Sequence, residues 1–362
     1  MDFAVKDGRV VGFGDYRGRK DYDLTGTYVV PGLIDAHVHI ESSLLAPSEY
    51  ARLVLAHGTT TVIADPHEIA NVCGASGIEY MLAEGARTSL DILVMLPSCV
   101  PATPLDVGGA VLAATDLAGF RGREGVIGLA EVMNVPGVLA GDEDLRAKMN
   151  LFEVVDGHAP FLSGKDLNAY IYAGTGSDHE CTTLAEAREK LLRGMYILVR
   201  EGSTEKNLKD LLPLVDACTA PRCCFATDDR HADMLAGEGH IDDCIRKAVA
   251  SGLKVEMALR MATLSAAGRF GLHDRGALAP GRLADFCVVD DPERFHVLQT
   301  FKRGVEVIDA GYRLPVCPAA TLNARVPEPR DIRIAGKGEA RVIGIVPGQI
   351  TTRDLRCPVD AA

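Results

Sequence analysis

The feature that most constrains this chain is a rhythm. Eight short, β-rich apolar runs recur along it: "GLIDAHVH", "TTTVIAD", "DILVMLPS", "VIGLAEV", "LFEVVDGH", "YIYAGTGSDH", "MYILVREGS" and "RCCFATDD". Each closes in a polar or proline-containing cluster, and each is followed by a helix-like segment. From His39 to Asp228 there are 189 residues, an average of 27 for each of the seven steps. That is close to the roughly 30 residues of a βαβ unit, and eight such units close into a (β/α)8 barrel.

The intervening segments carry helix punctuation. Pro47 opens "PSEYARLVLAHG" and Gly58 closes it, while Thr183 and Glu186 make a capping-box pattern before "AREKLLRG". Ser203 is placed to cap "TEKNLKDLLPLVDA", whose Leu208, Leu211, Leu212 and Val215 share one apolar face. The two ends read differently. Residues 1–30 and 281–316 alternate apolar and polar residues around Gly and Asp turns, as antiparallel strands do. The expected fold is therefore α/β: a (β/α)8 TIM barrel over 31–280, inserted into a small β-sandwich domain built from both flanking segments. Residues 317–362 are too few for another core and read as the start of a further, truncated C-terminal domain.

With 362 residues, 47% of them hydrophobic, the chain can bury a core of that size. Its formal net charge is -12 and it has no lysine- or arginine-rich run, which argues against a nucleic-acid or anionic-membrane partner and for a small-molecule one. The opening "MDFAVKDGRVVGFGDYRGRK" has no apolar signal core, and nothing reaches the roughly 18 apolar residues of a membrane span, so a cytoplasmic location is expected. Ten cysteines without a C-x-x-C pair read as reduced, structural thiols. "GTGSD" at 174–178 lacks both the Lys-Ser/Thr ending of a P-loop and the spacing of a dinucleotide fingerprint, which excludes a nucleotide cofactor.

In a parallel barrel the C-terminal strand ends meet at one face, where active sites are built. The residues expected there are His37 and His39 from the first run, Asp65, His67 and Glu68 from the second, Glu131 from the fourth, His158 from the fifth, His179 from the sixth and Asp228 from the eighth. Residues two apart on a strand share a face, so His37 and His39 should both point inward, about 6 to 7 Å apart along the backbone. A single strand-end histidine is more often satisfied by a backbone hydrogen bond than bound to an ion. Ligand-type residues at six of eight strand ends are not explained that way, and imidazoles with carboxylates and no thiolate suit two divalent ions of the Mn, Fe or Zn kind. His57, His240, His273 and His296 fall away from that face as surface or structural residues, and His231 is left open. Arg200, Glu201 and Ser203 end the seventh run; substrate contact is one reading, and a helix cap explains Ser203 equally well.

These residues resemble the amidohydrolase superfamily and, within it, the adenine deaminase family. "PGLIDAHVH" and "GALAPGRLADFCVV" look like the superfamily's two bookends, while "HVHIESS", "HGTTTVIADPHEIANVCG", "GLAEVMN", "DGHAP", "GSDHE", "REGS" and "ATDDRH" are similar to adenine deaminases. The resemblance covers roughly residues 20–330. It implies metal ligands His37, His39, Glu131, His158, His179 and Asp228, with Glu131 supplying directly the bridging carboxylate that many relatives take from a carboxylated lysine. Asp65, His67 and Glu68 would line the site and hold or tune a further ion. It further implies that hydroxide generated between two cations attacks C6 of adenine, with Asp228 as general base and Glu68 or Asp229 as candidates to protonate the ring. The products would be hypoxanthine and ammonia, and a homodimer is the expected assembly. Two alternatives stay open: an amidohydrolase acting on a cyclic amide or another aminopurine, and a truncated barrel that binds metal without turnover.

Overall fold

The computed structural model describes residues 1–103, 105–308, 325–333 and 336–359. An N-terminal hairpin, β1 (Phe3–Lys6) and β2 (Arg9–Phe13), is followed by β3 (Tyr28–Pro31). The barrel strands come next: β4 (Leu33–Val38), β5 (Thr59–Ala64), β6 (Asp91–Leu96), β7 (Val126–Val132) and β8 (Val155–Gly157) pair in that order as one parallel sheet. β9 (Ser177–Asp178), β10 (Tyr196–Arg200) and β11 (Cys223–Ala226) form a second parallel sheet. A parallel bridge between Val38 and Asp228 joins the two on one side. On the other, the Gly176 N–H donates to the Val155 carbonyl and the Arg269 guanidinium reaches Asp156 and Ser177, so eight strands close around one axis.

The runs are apolar throughout because each strand packs on both faces. Ile34, Ala36, Ile63, Met95, Leu198 and Cys224 fill the interior. Val38, Val62, Val94, Leu129 and Val155 face outward onto the helices.

Strands from both ends share the small β domain. β12 (Phe286–Val289), β13 (Val297–Lys302) and β14 (Val305–Glu306) extend a sheet in the order β14-β13-β12-β3, so that Cys287 pairs with Val30. The β1–β2 hairpin packs over it through Phe3 and Val10, with Phe3 edge-on to Phe286 at 5.3 Å and Phe286 stacked on Phe301 at 4.5 Å. The boundary expected at 316 lies outside the described residues. Beyond it, β15 (Gly338–Ile345) and β16 (Thr352–Val359) pair over their full length as a hairpin whose strands are largely exposed. Among the described residues, no helix is long and apolar enough to cross a membrane.

Two local expectations fail. In "YIYAGTGSDH" the first half is not strand: Tyr170–Tyr172 ends the helix Gly164–Tyr172, and only Ser177–Asp178 pairs in the sheet. The three-residue spacing of Leu167 and Tyr170 puts both on one buried helix face, and the Tyr170 hydroxyl is held there by donating to the Val132 carbonyl at 2.7 Å. Ser203 does not cap a helix either. The helix begins only at Leu208, and Ser203 instead ties two loops together, its N–H donating to the Asp229 carbonyl and its hydroxyl accepting from the His231 N–H.

Candidate active site

Two irregularities in the barrel aim the site. Ile34 and Ala36 of β4 lie in the interior while Val38 packs outside, and the β4–β5 register shifts between Asp35 and Val38. That shift reverses the phase of the strand, so His37 and His39 point inward instead of continuing the outward face of Asp35. β7 repeats the device. Ala130 is interior, Leu129 and Val132 face out, and the register shifts between them, which brings Glu131 inward next to Ala130.

Glu131 is the centre of what results. Its Oε2 lies 2.5 Å from His158 Nδ1 and 3.2 Å from His179 Nε2, and its Oε1 lies 3.4 Å from His39 Nε2 and 3.3 Å from His67 Nδ1. Asp228 faces the first pair of histidines, with Oδ1 3.1 Å from His39 Nε2 and 3.6 Å from His37 Nε2. Asp65 holds the His67 ring at 3.0 Å, and its backbone carbonyl meets His39 Nδ1 at 2.9 Å. Glu68 stands 3.7 Å from His39 Nδ1 and accepts from the Ser42 hydroxyl, which also bonds Asp229.

Burial would neutralise these groups, but their mutual charges win. Glu131 is buried, which disfavours its charge, yet His158, His179 and His39 hold its carboxyl well below the ordinary range. Asp228 follows the same logic, with His37, His39 and His179 outweighing burial. Burial works against protonation of His39 and His179, and the facing carboxylates raise both well above an ordinary imidazole. At Glu41 the balance tips the other way, the His39 charge and backbone N–H groups being outweighed. Burial, then the Glu68 charge, pushes it up to about 8.

The donor set fits divalent cations. Three groups of ligand atoms converge: His39, Asp65, His67 and Glu131; Glu131, His158, His179 and Glu180; and His37, His39 and Asp228. His37 Nε2 and His39 Nε2 sit 3.0 Å apart, where one proton at most can lie between two lone pairs that a cation would accept together. Asp65 Oδ1, Glu68 Oε2, Glu180 Oε2 and His179 Nδ1 are buried with no hydrogen-bond partner. Among the described residues a fourth group, Asp178, Cys181 and Glu186, is different in kind: the Lys190 ammonium already supplies its positive charge, 3.0 Å from Asp178 and 2.8 Å from Glu186.

A cavity of about 290 Å³ opens over these residues, lined also by Met133, Thr204, Glu205, Asp229 and Ile350. Its size falls just under the roughly 300–1,000 Å³ usual for ligand pockets, which suits a small molecule. A larger hollow of about 390 Å³ is lined by the C-terminal hairpin's own residues, among them the ion-paired Arg341 and Asp354, and holds none of this chemistry.

All the residues read from the strand ends thus meet in one place. The substrate trio does not. Arg200 is buried and lines the cavity, but its Nη1 is committed to Glu180 at 2.6 Å and Asp228 at 2.9 Å. Glu201 is drawn away to Lys247 at 3.0 Å, and Ser203 is taken up by the loop contacts described above, so Thr204 and Glu205 face the cavity in their place. Of the peripheral histidines, His57 pairs with Asp242 at 3.1 Å, His296 is exposed beside Asp290, and His240 is completely buried. Sequence reasoning passed over Glu180, since a residue after His179 should point to the opposite face of a strand. β9 ends at Asp178, and beyond it the alternation no longer applies.

Comparison with known proteins agrees with the geometry. Residues 28–307 match the amidohydrolase family. The whole chain is 85% identical to an adenine deaminase of Methanoculleus marisnigri over 362 residues, spanning 70% of that protein's length. It is 64% identical to an adenine deaminase of Methanoregula boonei, of which it spans 65%. Among solved structures, N-acetyl-D-glucosamine-6-phosphate deacetylase from Mycobacterium smegmatis superposes with a TM-score of 0.61 at 19% identity, covering 84% of this chain and 94% of that one. A β-aspartyl dipeptidase from Fervidobacterium islandicum gives 0.58 at 17%, covering 83% and 89%, and both likenesses speak to the fold alone. The chain belongs to the amidohydrolase family and, within it, to the adenine deaminases.

Proposed function

We propose that this chain deaminates adenine hydrolytically, giving hypoxanthine and ammonia, with two divalent cations held by His37, His39, Glu131, His158, His179 and Asp228. The observation that carries the reading is the convergence of buried imidazoles on the single carboxylate of Glu131, in a chain 85% identical to an adenine deaminase. Imidazole and carboxylate donors without thiolate favour Mn, Fe or Zn. When bound, the cations would supply the Lewis acidity that makes water a nucleophile near neutral pH. Asp65, His67 and Glu68 would stand at the rim of this set, as tuning groups or ligands of a further ion.

The chain's own groups do the rest. Asp228 lines the cavity, kept ionised by the positive groups around it, and takes the proton of the attacking water as C6 of adenine becomes tetrahedral. Arg200 fixes Asp228 Oδ2, so the base presents one defined atom. The proton then passes to the leaving amino group. Glu68 and Asp229, linked through the Ser42 hydroxyl, are two carboxyl groups on the cavity wall that would serve the ring nitrogens. Ammonia release from adenine by protein loaded with Mn or Fe is the test. Stoichiometric metal without ammonia would favour a different ring amine or cyclic amide, or a barrel without turnover, and a chain that takes up no metal would end the reading altogether.

A further inference from the structure

The phase change in β4 needs something to hold it. A bulge removes one backbone N–H from the ladder and must satisfy it elsewhere. Here the freed group is the His37 N–H, and it donates to Asp35 Oδ1 at 3.2 Å. The same oxygen accepts the Thr227 N–H at 3.1 Å, and Asp35 Oδ2 accepts the Thr227 hydroxyl at 2.5 Å. One carboxylate, fully buried on the outer side of the strand, therefore grips the backbone immediately before two residues of the candidate metal set, His37 and Asp228.

Asp35 is itself held from behind. His240 Nε2 lies 2.9 Å from Asp35 Oδ2 and 2.9 Å from the Tyr50 hydroxyl, and His240 Nδ1 lies 2.8 Å from Thr59 Oγ1. With the proton on Nε2 donated to Asp35 and the Thr59 hydroxyl donating to Nδ1, both ring nitrogens of His240 are engaged. Asp35, Tyr50, Thr59 and His240 are all 0% exposed. An unlinked buried carboxylate would be costly, and a linked one is rigid. We propose that Asp35 and His240 are positioning residues for the cations: His240 locks the Asp35 carboxylate, and Asp35 holds the bulge that turns His37 and Asp228 toward one another.

This rests on the two-cation reading, and the test separates the two. Mn affinity is measured by competition with a chelator, alongside kcat, KM for adenine and the melting temperature, in wild type and in His240→Leu, His240→Gln and Thr59→Val. Outer-shell partners of metal ligands typically contribute about 10- to 100-fold in metal affinity or activity. His240→Leu should lose cation affinity and kcat on that scale while KM changes by less than about threefold, the split expected when geometry and not substrate contact is lost. His240→Gln, whose amide can still donate to Asp35 and accept from Thr59, should recover most of the loss. Thr59→Val, which removes one hydroxyl at nearly constant shape, should fall between them and covers the case that His240→Leu does not fold. Folded Leu and Val variants, or a folded Val variant alone where Leu does not fold, with wild-type Mn affinity and kcat would overturn the proposal, whether or not their melting temperature is lowered. Failure of wild type to take up Mn would overturn both it and the two-cation reading.

Discussion

At the scale of residues, the site is a charge balance between imidazoles and carboxylates. Glu131 faces four imidazoles within 3.4 Å, and no other described carboxylate is shared by two of the ligand groups. Glu131→Gln keeps the shape and removes the charge. It should lower cation content and cut turnover by more than about 100-fold, beyond what outer-shell changes cost, as read by elemental analysis and ammonia release. Most of this site was legible, because ligand chemistry is carried by residue type and strand-end position: His37, His39, Glu131, His158, His179 and Asp228 all stood out. Glu180 and the true cavity walls, Met133, Thr204, Glu205 and Ile350, did not. Where a side chain points beyond the last paired residue depends on local backbone geometry, which no alternation rule describes. Arg200 lines the cavity, and its partners, Glu180 and Asp228, are set by contacts 20 and 28 residues away in sequence.

Elements show the same division. The helix Pro47–Ala56 opens with proline as its sequence implies, and Thr183 accepts from the Glu186 N–H at the start of Leu184–Leu192. That second helix also carries Lys190, whose ammonium is buried against Asp178 of β9 and donates to the Ala159 carbonyl at 2.6 Å. It thereby pins a two-residue strand that has little ladder of its own. Lys190→Met would leave the Asp178 carboxylate in the interior without its ammonium partner. Breaking a buried pair by removing one partner costs about 3–5 kcal/mol, and a chemical-denaturation midpoint should register it. The last turn of the helix Gly164–Tyr172 falls within an apparent strand run because a short apolar stretch fits either period. Burial of Tyr170 against Val132 decides for helix.

For the whole molecule, barrel closure makes stability depend on buried carboxylates that must stay charged. Burial pushes the Asp178 carboxyl up, but Lys190 and His179 bring it below its ordinary 3.8. Asp242 is lowered likewise, with His57 and Arg246 outweighing burial. For both, the native state binds fewer protons than the unfolded chain, so their stabilisation is complete above pH 3.8 and is lost as pH falls through the lowered native values. Melting temperature should therefore drop steeply below about pH 4, and Asp242→Asn should start lower and fall less over that window.

The sequence by itself determined the repeat, the pairing of the two ends in one β domain and the identity of the metal-type residues, because period, turn chemistry and donor type are properties of neighbouring residues. Only the tertiary structure decided which way those residues face. The bulges in β4 and β7, the grip of Asp35 on His37 and Thr227, and the return of Ile350 to the cavity each join segments far apart in sequence. Their geometry is set by close packing and by the need to satisfy every buried N–H, conditions that exist only once the barrel has closed.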